Sequence, residues 1–265
     1  MRLASIAALL ALPLISLLPV ASTVQSAPRL SLWYRGQPPG IARAADMTGI
    51  RAAGFTAITW PAGQTGGVAE AARLASDAGL EFILRAAPVP LTPDGARHPD
   101  VSVDIVAARA APSVIAPLVW RAIAHGARDV SFDPGPAGER SFTGHGPPPA
   151  WSPAVGEISR HIRINGKLLT DATPAPDQPR MDPPMSAAVD IMLLSAGRTW
   201  LLVATNTGGR ARVTAHLPAM VPYAIWLNLL SGDTLAMLSE PAGPRWSFDV
   251  EAGGTRIYVI DKALR

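Results

Sequence analysis

The chain has 265 residues, 48% of them apolar and 16% charged, with 27 prolines and no cysteine. This excludes a disordered polymer, a disulfide-stapled miniprotein and a thiolate metal centre. The 23 basic and 20 acidic residues give a net charge of +3 without a basic block, which argues against nucleic-acid binding.

In chain order the first element is a leader. Arg2 supplies the positive start, Leu3 to Val20 is an apolar run broken by Pro13 and Pro19, and mostly small residues follow up to Ala27. This layout reads as a secretory signal peptide over residues 1–27, cut between Ala21 and Ala27. The rival reading is an uncleaved anchor, because the run nearly reaches spanning length. The expected location is therefore secreted or periplasmic, with membrane contact only through this segment if it stays attached. With no cysteine, the fold must hold by packing alone.

Residues 28–172 alternate strand and helix. Leu30–Tyr34 is a short apolar and aromatic run that suits a strand. Ala42 to Ala53 has Ala45, Met47, Ile50 and Ala53 at helical spacing and stops at Gly54. Phe55–Trp60 reads as a second strand, Val68–Ala78 as a helix ended by Gly79, and Leu80–Arg85 as a third strand. Val101–Val106 is a further candidate strand. Ser113–His125 reads as a helix ended by Gly126, and Val130–Phe132 as a strand. The cadence of helix, glycine and strand recurs at Gly54, Gly79 and Gly126, which predicts parallel strands joined by right-handed crossovers. Pro134–Pro153 reads as a Gly- and Pro-rich loop, and Pro153–Ile164 as one more helix.

Residues 173–185 read as a proline-rich linker. From Ser186 the period shortens to strands near 189–193, 200–204, 211–215, 223–226, 235–238, 246–250 and 255–260. Turn signals at Gly197, Gly208-Gly209, Gly232 and Gly253-Gly254 lie between them. Residues 186–265 are thus expected to form a small antiparallel β-sandwich.

Trp120 to Pro134, with Ala124-His125-Gly126 leading to Val130-Ser131-Phe132-Asp133, resembles the last helix and strand of glycoside hydrolase barrels, particularly the family 42 and family 35 β-galactosidase type. Pro153 to Ile158 is similar to the helix that follows. Tyr223 to Gly232, and Thr199 to Asn206, are similar to strands of a glycosidase C-terminal domain. The resemblance implies an α/β fold: a TIM-like (β/α) barrel followed by the sandwich. Only about 140 residues are present where a full barrel takes about 250, so the barrel is expected to be incomplete or shortened. Its open sheet edges would need covering by loops, by the sandwich or by a second copy of the chain.

Glycoside hydrolysis needs two carboxyl groups flanking the scissile bond. Asp133, at a strand tip before a Pro-Gly loop, is the first candidate, with a loop-capping aspartate as its alternative. Glu139 is the second catalytic candidate, and Asp104 and Glu157 are weaker ones, Glu157 being better suited to a solvated helix face. None carries the asparagine-glutamate pair that marks the acid in the resembled enzymes. Trp33, Tyr34, Trp60 and Trp151 fall at strand ends or in the long loop, where rings can stack on the apolar faces of sugars. Arg35 and Arg85 close the first and third strands and are expected to line one rim; core packing is the alternative for the tryptophans. The five histidines (His98, His125, His145, His161 and His216) lack metal-ligand spacing, and no phosphate or dinucleotide motif occurs, so no metal or cofactor is expected. Two functions remain open. One is an exported glycoside hydrolase-like protein that acts on or binds a carbohydrate. The other is a non-catalytic carbohydrate-binding or cell-envelope protein on a degenerate glycosidase scaffold.

Overall fold

The computed structural model describes residues 26–36, 39–64, 66–86, 102–105, 110–142, 148–182, 188–219, 221, 225–236, 238–240 and 243–261. The expected leader up to residue 25, His98, His145 and Tyr223 lie outside the described residues.

The first part comprises β1 (Arg29–Trp33), α1 (Ala44–Ala52), β2 (Ala57–Pro61), α2 (Val68–Asp77), β3 (Glu81–Arg85), β4 (Ser102–Ile105), α3 (Ile115–Ala124), β5 (Asp129–Phe132), α4 (Gly135–Phe142), α5 (Ser152–Ile164) and α6 (Gly166–Asp171). The five strands form one sheet in the order β3-β2-β1-β5-β4, and every pairing is parallel. Steps from β1 to β2 to β3, and from β4 to β5, run in the same direction across the sheet. Right-handed crossovers then place the connecting helices on one face. Leu30, Leu32, Ile58, Trp60, Val130 and Phe132 share a core with Met47, Ile50, Leu74, Val119, Ile123 and Val155 of those helices.

Each helix-to-strand turn has the same hydrogen bonds. Gly54, Gly79 and Gly126 have φ of 100°, 70° and 97°. Each glycine N–H bonds the carbonyl three residues back (Arg51, Ser76 and Ile123), and the next residue's N–H bonds the carbonyl five back (Ile50, Ala75 and Ala122). This is the Schellman arrangement, in which a left-handed residue just beyond the helix satisfies the last carbonyls and turns the chain into the sheet. The helix-glycine-strand cadence of the sequence is this motif repeated.

The second part comprises β6 (Thr173–Pro174), β7 (Arg180–Asp182), β8 (Val189–Ala196), β9 (Thr199–Asn206), β10 (Ala211–His216), β11 (Ile225–Asn228), β12 (Thr234–Ala236), β13 (Leu238–Glu240), β14 (Gly243–Val250) and β15 (Thr255–Asp261). They form two antiparallel sheets, β12-β11-β15-β9-β8-β6 and β13-β14-β10-β7. Leu193, Leu202, Ala204, Trp226 and Tyr258 of the larger sheet meet Val213, Ala215, Trp246 and Phe248 of the smaller in one core. Alternate residues of the larger sheet, Leu194, Leu201, Val203 and Ile257, belong instead to the core of the first part. A sheet covered on both faces has no polar face to alternate with, which is why β9 reads as a nearly continuous apolar run. The helix α3 is apolar almost all round for the same reason, since it packs between the parallel sheet and the six-stranded one. Arg121 of α3 and His125 at its carboxyl-terminal cap both reach Asp190 of β8, at 3.3 and 2.7 Å.

Two expectations change. The proline-rich segment 173–185 supplies two strands, β6 and β7, that pair with β8 and β10. Within the expected loop at 134–153, residues Gly135–Phe142 form α4, whose second residue, Pro136, lacks an N–H where a first helical turn needs none. Among the described residues the parallel sheet is open, with β3 and β4 as its edges.

Candidate functional site

The carboxyl ends of parallel strands are where this architecture can gather side chains from distant parts of the chain. Three of the expected site residues meet there. Arg35 follows β1, Asp133 follows β5, and Glu139 lies on α4. The Arg35 guanidinium grips Asp133 through both nitrogens, at 3.1 to 3.2 Å, and reaches Glu139 through Nη1 at 3.0 Å. The backbone N–H of Arg35 also donates to Glu139 Oε1, at 3.0 Å. Asp133 is held by a further bond from the N–H of Gly135 at 3.0 Å, and its own N–H joins the sheet through the carbonyl of Ile105 at 2.9 Å. The Arg35 carbonyl accepts from Gln64 Nε2 at 2.5 Å, which ties the β2 loop to the same tip.

Burial and charge compete here. Glu139 is 2% exposed, and burial pushes its carboxyl above the ordinary range; Arg35 pulls it back and Asp133 adds to the rise. For Arg35 burial opposes the charge, but Asp133 and Glu139 outweigh it and raise its pKa. Both carboxylates bind one nitrogen at 3.2 and 3.0 Å, so their nearest oxygens are no more than about 6 Å apart, a spacing within the reach of glycosidase carboxyl pairs. The same guanidinium pairs with both, one positive charge against two carboxylates.

A second polar layer lies deeper on the same sheet face. Arg85 pairs with Asp129, donates to Ser131 Oγ at 3.1 Å and lies over the Trp33 ring, 5.9 Å from its centroid. Ser31 Oγ donates to Asp129 at 2.9 Å and sits 2.5 Å from Ser131 Oγ, while Thr59 donates to Ser31 at 3.1 Å. Ser31, Thr59 and Ser131 are fully buried. Asp129, Ser131, Ser31 and Thr59 escape a search limited to strand ends. Their signal is the strict alternation of Asp129-Val130-Ser131-Phe132-Asp133, which places three polar residues on the face opposite the helices.

Trp60 and Trp151 lie on the other side of the sheet from Arg35 and Asp133. Trp33 is in register with Thr59, so Trp60, one residue on, points to the helices. It is buried edge-on against Tyr34, at 5.9 Å between centroids. Trp151, just before α5, stacks on Phe132 at 5.8 Å and packs against Phe55 and Phe142. Both tryptophans are core residues. Asp104 is in register with Ser131 on β4. Glu157 is exposed on α5 and paired with Arg160 at 2.7 Å. Among the described residues no group of three His, Asp or Glu side chains is placed to hold a metal ion.

No protein-family model and no curated protein matches the sequence. Among solved structures, the chain is similar to the cyclomaltodextrin glucanotransferase CldA, with a TM-score of 0.44 and 11% identity over 78% of this chain and 56% of that one. It is similar to the maltogenic α-amylase AmyB of Thermotoga neapolitana, with a TM-score of 0.43 and 12% identity over 78% of this chain and 51% of that one. It is also similar to the α-fucosidase of Thermotoga maritima, with a TM-score of 0.48 and 8% identity over 81% of this chain and 77% of that one. The chain thus spans little more than half the length of the first two.

Proposed function

We propose that the chain is an exported, non-catalytic carbohydrate-binding protein built on a shortened glycosidase-type barrel with a C-terminal β-sandwich. The strand order supports the shortened barrel. β1, β2 and β3 follow one another as the first strands of a ring do, and β4 and β5 close on β1 from its other side as the last strands do. Only residues 86–101 separate β3 from β4, whereas each further strand-helix-strand unit needs roughly 30 residues.

The observation that carries the binding reading is the joint capture of Asp133 and Glu139 by Arg35. A hydrolase needs one carboxyl to donate a proton and the other to attack or to activate water. Here both are committed to one cation, whereas a partly exposed arginine-carboxylate cluster is well suited to sugar hydroxyls. The hydrolase reading keeps one specific support: Glu139 has the raised pKa of a general acid and sits beside Asp133.

The test pairs two measurements. Calorimetric titration with a panel of oligosaccharides is expected to find a ligand that Arg35→Ala binds at least tenfold more weakly. Aryl glycosides are expected to show no turnover above background. Turnover by the wild type that Asp133→Asn abolishes would replace this reading with the hydrolase one.

A further inference from the structure

A cavity of about 610 Å³ opens at the other end of the parallel strands, beneath their amino termini. Arg29 and Glu81, the first residues of β1 and β3, form part of its wall. The Gly54-Phe55 turn forms another part, and α5 contributes Ser159, Arg160 and Arg163. Its size is that of a site for a small organic ligand. Four arginines line it, Arg29, Arg51, Arg160 and Arg163, against the single carboxylate of Glu81.

The charges do not cancel. Arg29 is matched by Glu81 at 2.5 Å and by Asp129 at 3.7 Å. Arg160 is matched by Glu157, which lies outside the lining. Arg51 gives one N–H to the Phe55 carbonyl at 3.4 Å, and neither it nor Arg163 has a carboxylate partner among the described residues. Ser159 adds a hydroxyl, and Gly156 and Gly166 also line the wall.

We propose that this cavity is a binding site for a small anionic ligand, a carboxylated or phosphorylated compound the size of a sugar, gripped by Arg51 and Arg163 with Arg160 and Ser159 in support. Guanidinium forks match planar carboxylates and phosphate oxygens with two parallel bonds, and two uncompensated forks in one concavity select a charged ligand over a neutral one. The site does not depend on the Arg35 cluster at the opposite strand ends.

The test titrates the full-length chain, at fixed ionic strength, with inorganic phosphate, with glucuronate and with glucose. Saturable binding of phosphate, of glucuronate or of both is expected, and no glucose binding that depends on Arg51 and Arg163. Which anion binds more tightly identifies the phosphorylated or the carboxylated source. Arg51→Ala/Arg163→Ala is expected to weaken that binding at least tenfold. Arg210→Ala, an exposed arginine of the sandwich outside both sites, is expected to leave it unchanged. Circular dichroism of the double variant checks that it is folded, and Arg163→Glu, a change on an exposed helix position, gives a second reading of the same loss. If the arginines only complement the carbonyl ends of α1 and α5, neither anion binds, and the proposal falls. It falls equally if both arginine variants bind like the wild type.

Discussion

Asp133 and Glu139 bind the same nitrogen of Arg35, one from the tip of β5 and one from the buried side of α4. The first prediction follows from the difference in their surroundings. Burial raises the Glu139 carboxyl above its ordinary 4.5, so the folded chain keeps a proton that the unfolded chain has already released. Stability contributed by this group is therefore full below pH 4.5 and falls as pH climbs through the raised value. Glu139→Gln is expected to flatten that decline. Arg35→Met is expected to steepen it and to cost about 2 kcal/mol near pH 7, because a buried carboxylate loses its cation. Urea midpoints at pH 4.5 and near pH 7 check both, and parallel pH profiles for wild type and Glu139→Gln would contradict the assignment.

Trp60 is expected to act on stability alone. It is fully buried among the helices, and Trp60→Ala should cost about 3–5 kcal/mol by leaving a cavity the core cannot refill. The milder Trp60→Phe should stay folded and bind any saccharide ligand with wild-type affinity. A selective loss of saccharide affinity in folded Trp60→Phe would place the ring at a binding surface after all.

Ile58 and Trp60 share one parity of β2 and Thr59 the other, an alternation present in the sequence, but which parity faces the helices is set by the pairing with β1. Helix ends were readable because Gly54, Gly79 and Gly126 carry out one local hydrogen-bond pattern that needs no distant partner. The α4 helix was not, because Gly135, Pro136 and Gly138 have loop composition, and the Glu139 bond to Arg35 that helps seat it spans 104 positions of sequence. β6 was hidden by Pro174, which an edge strand tolerates where its N–H would face away from the sheet, and β7 by the prolines on either side of it, Pro179 and Pro183. Arg35 and Asp133 could be nominated from strand ends, but their ion pair depends on β1 and β5 being neighbours, a tertiary fact.

Asp190 joins the two halves of the molecule. It sits on β8, is 4% exposed, pairs with Arg121 of α3 and hydrogen-bonds to His125 just beyond the helix end. Asp190→Ala leaves two cationic or polar groups facing an apolar interface, and a loss of about 1–3 kcal/mol is expected. Because the contact lies between the parallel-sheet part and the six-stranded sheet, near-ultraviolet and far-ultraviolet melting curves of the variant should separate if the halves uncouple. Coincident curves with an unchanged midpoint would show that the apolar contacts of α3 suffice.

Gly54 and Gly126 have nearly the same backbone angles, φ of 100° and 97°, yet their surroundings differ. A Cβ at Gly126 would meet nothing within 4 Å, so Gly126→Ala pays only the left-handed strain, about 1 kcal/mol. A Cβ at Gly54 would lie 3.0 Å from the Gly156 Cα and 3.3 Å from the Ser159 Cβ, both on α5. Gly54→Ala must therefore push α5 away as well as strain the turn, and a loss about 1–3 kcal/mol larger is expected from overpacking. Urea denaturation of the two variants under one set of conditions measures the difference directly. Equal losses would mean that α5 shifts freely, and the wall of the anion cavity that α5 builds would then be adjustable rather than fixed.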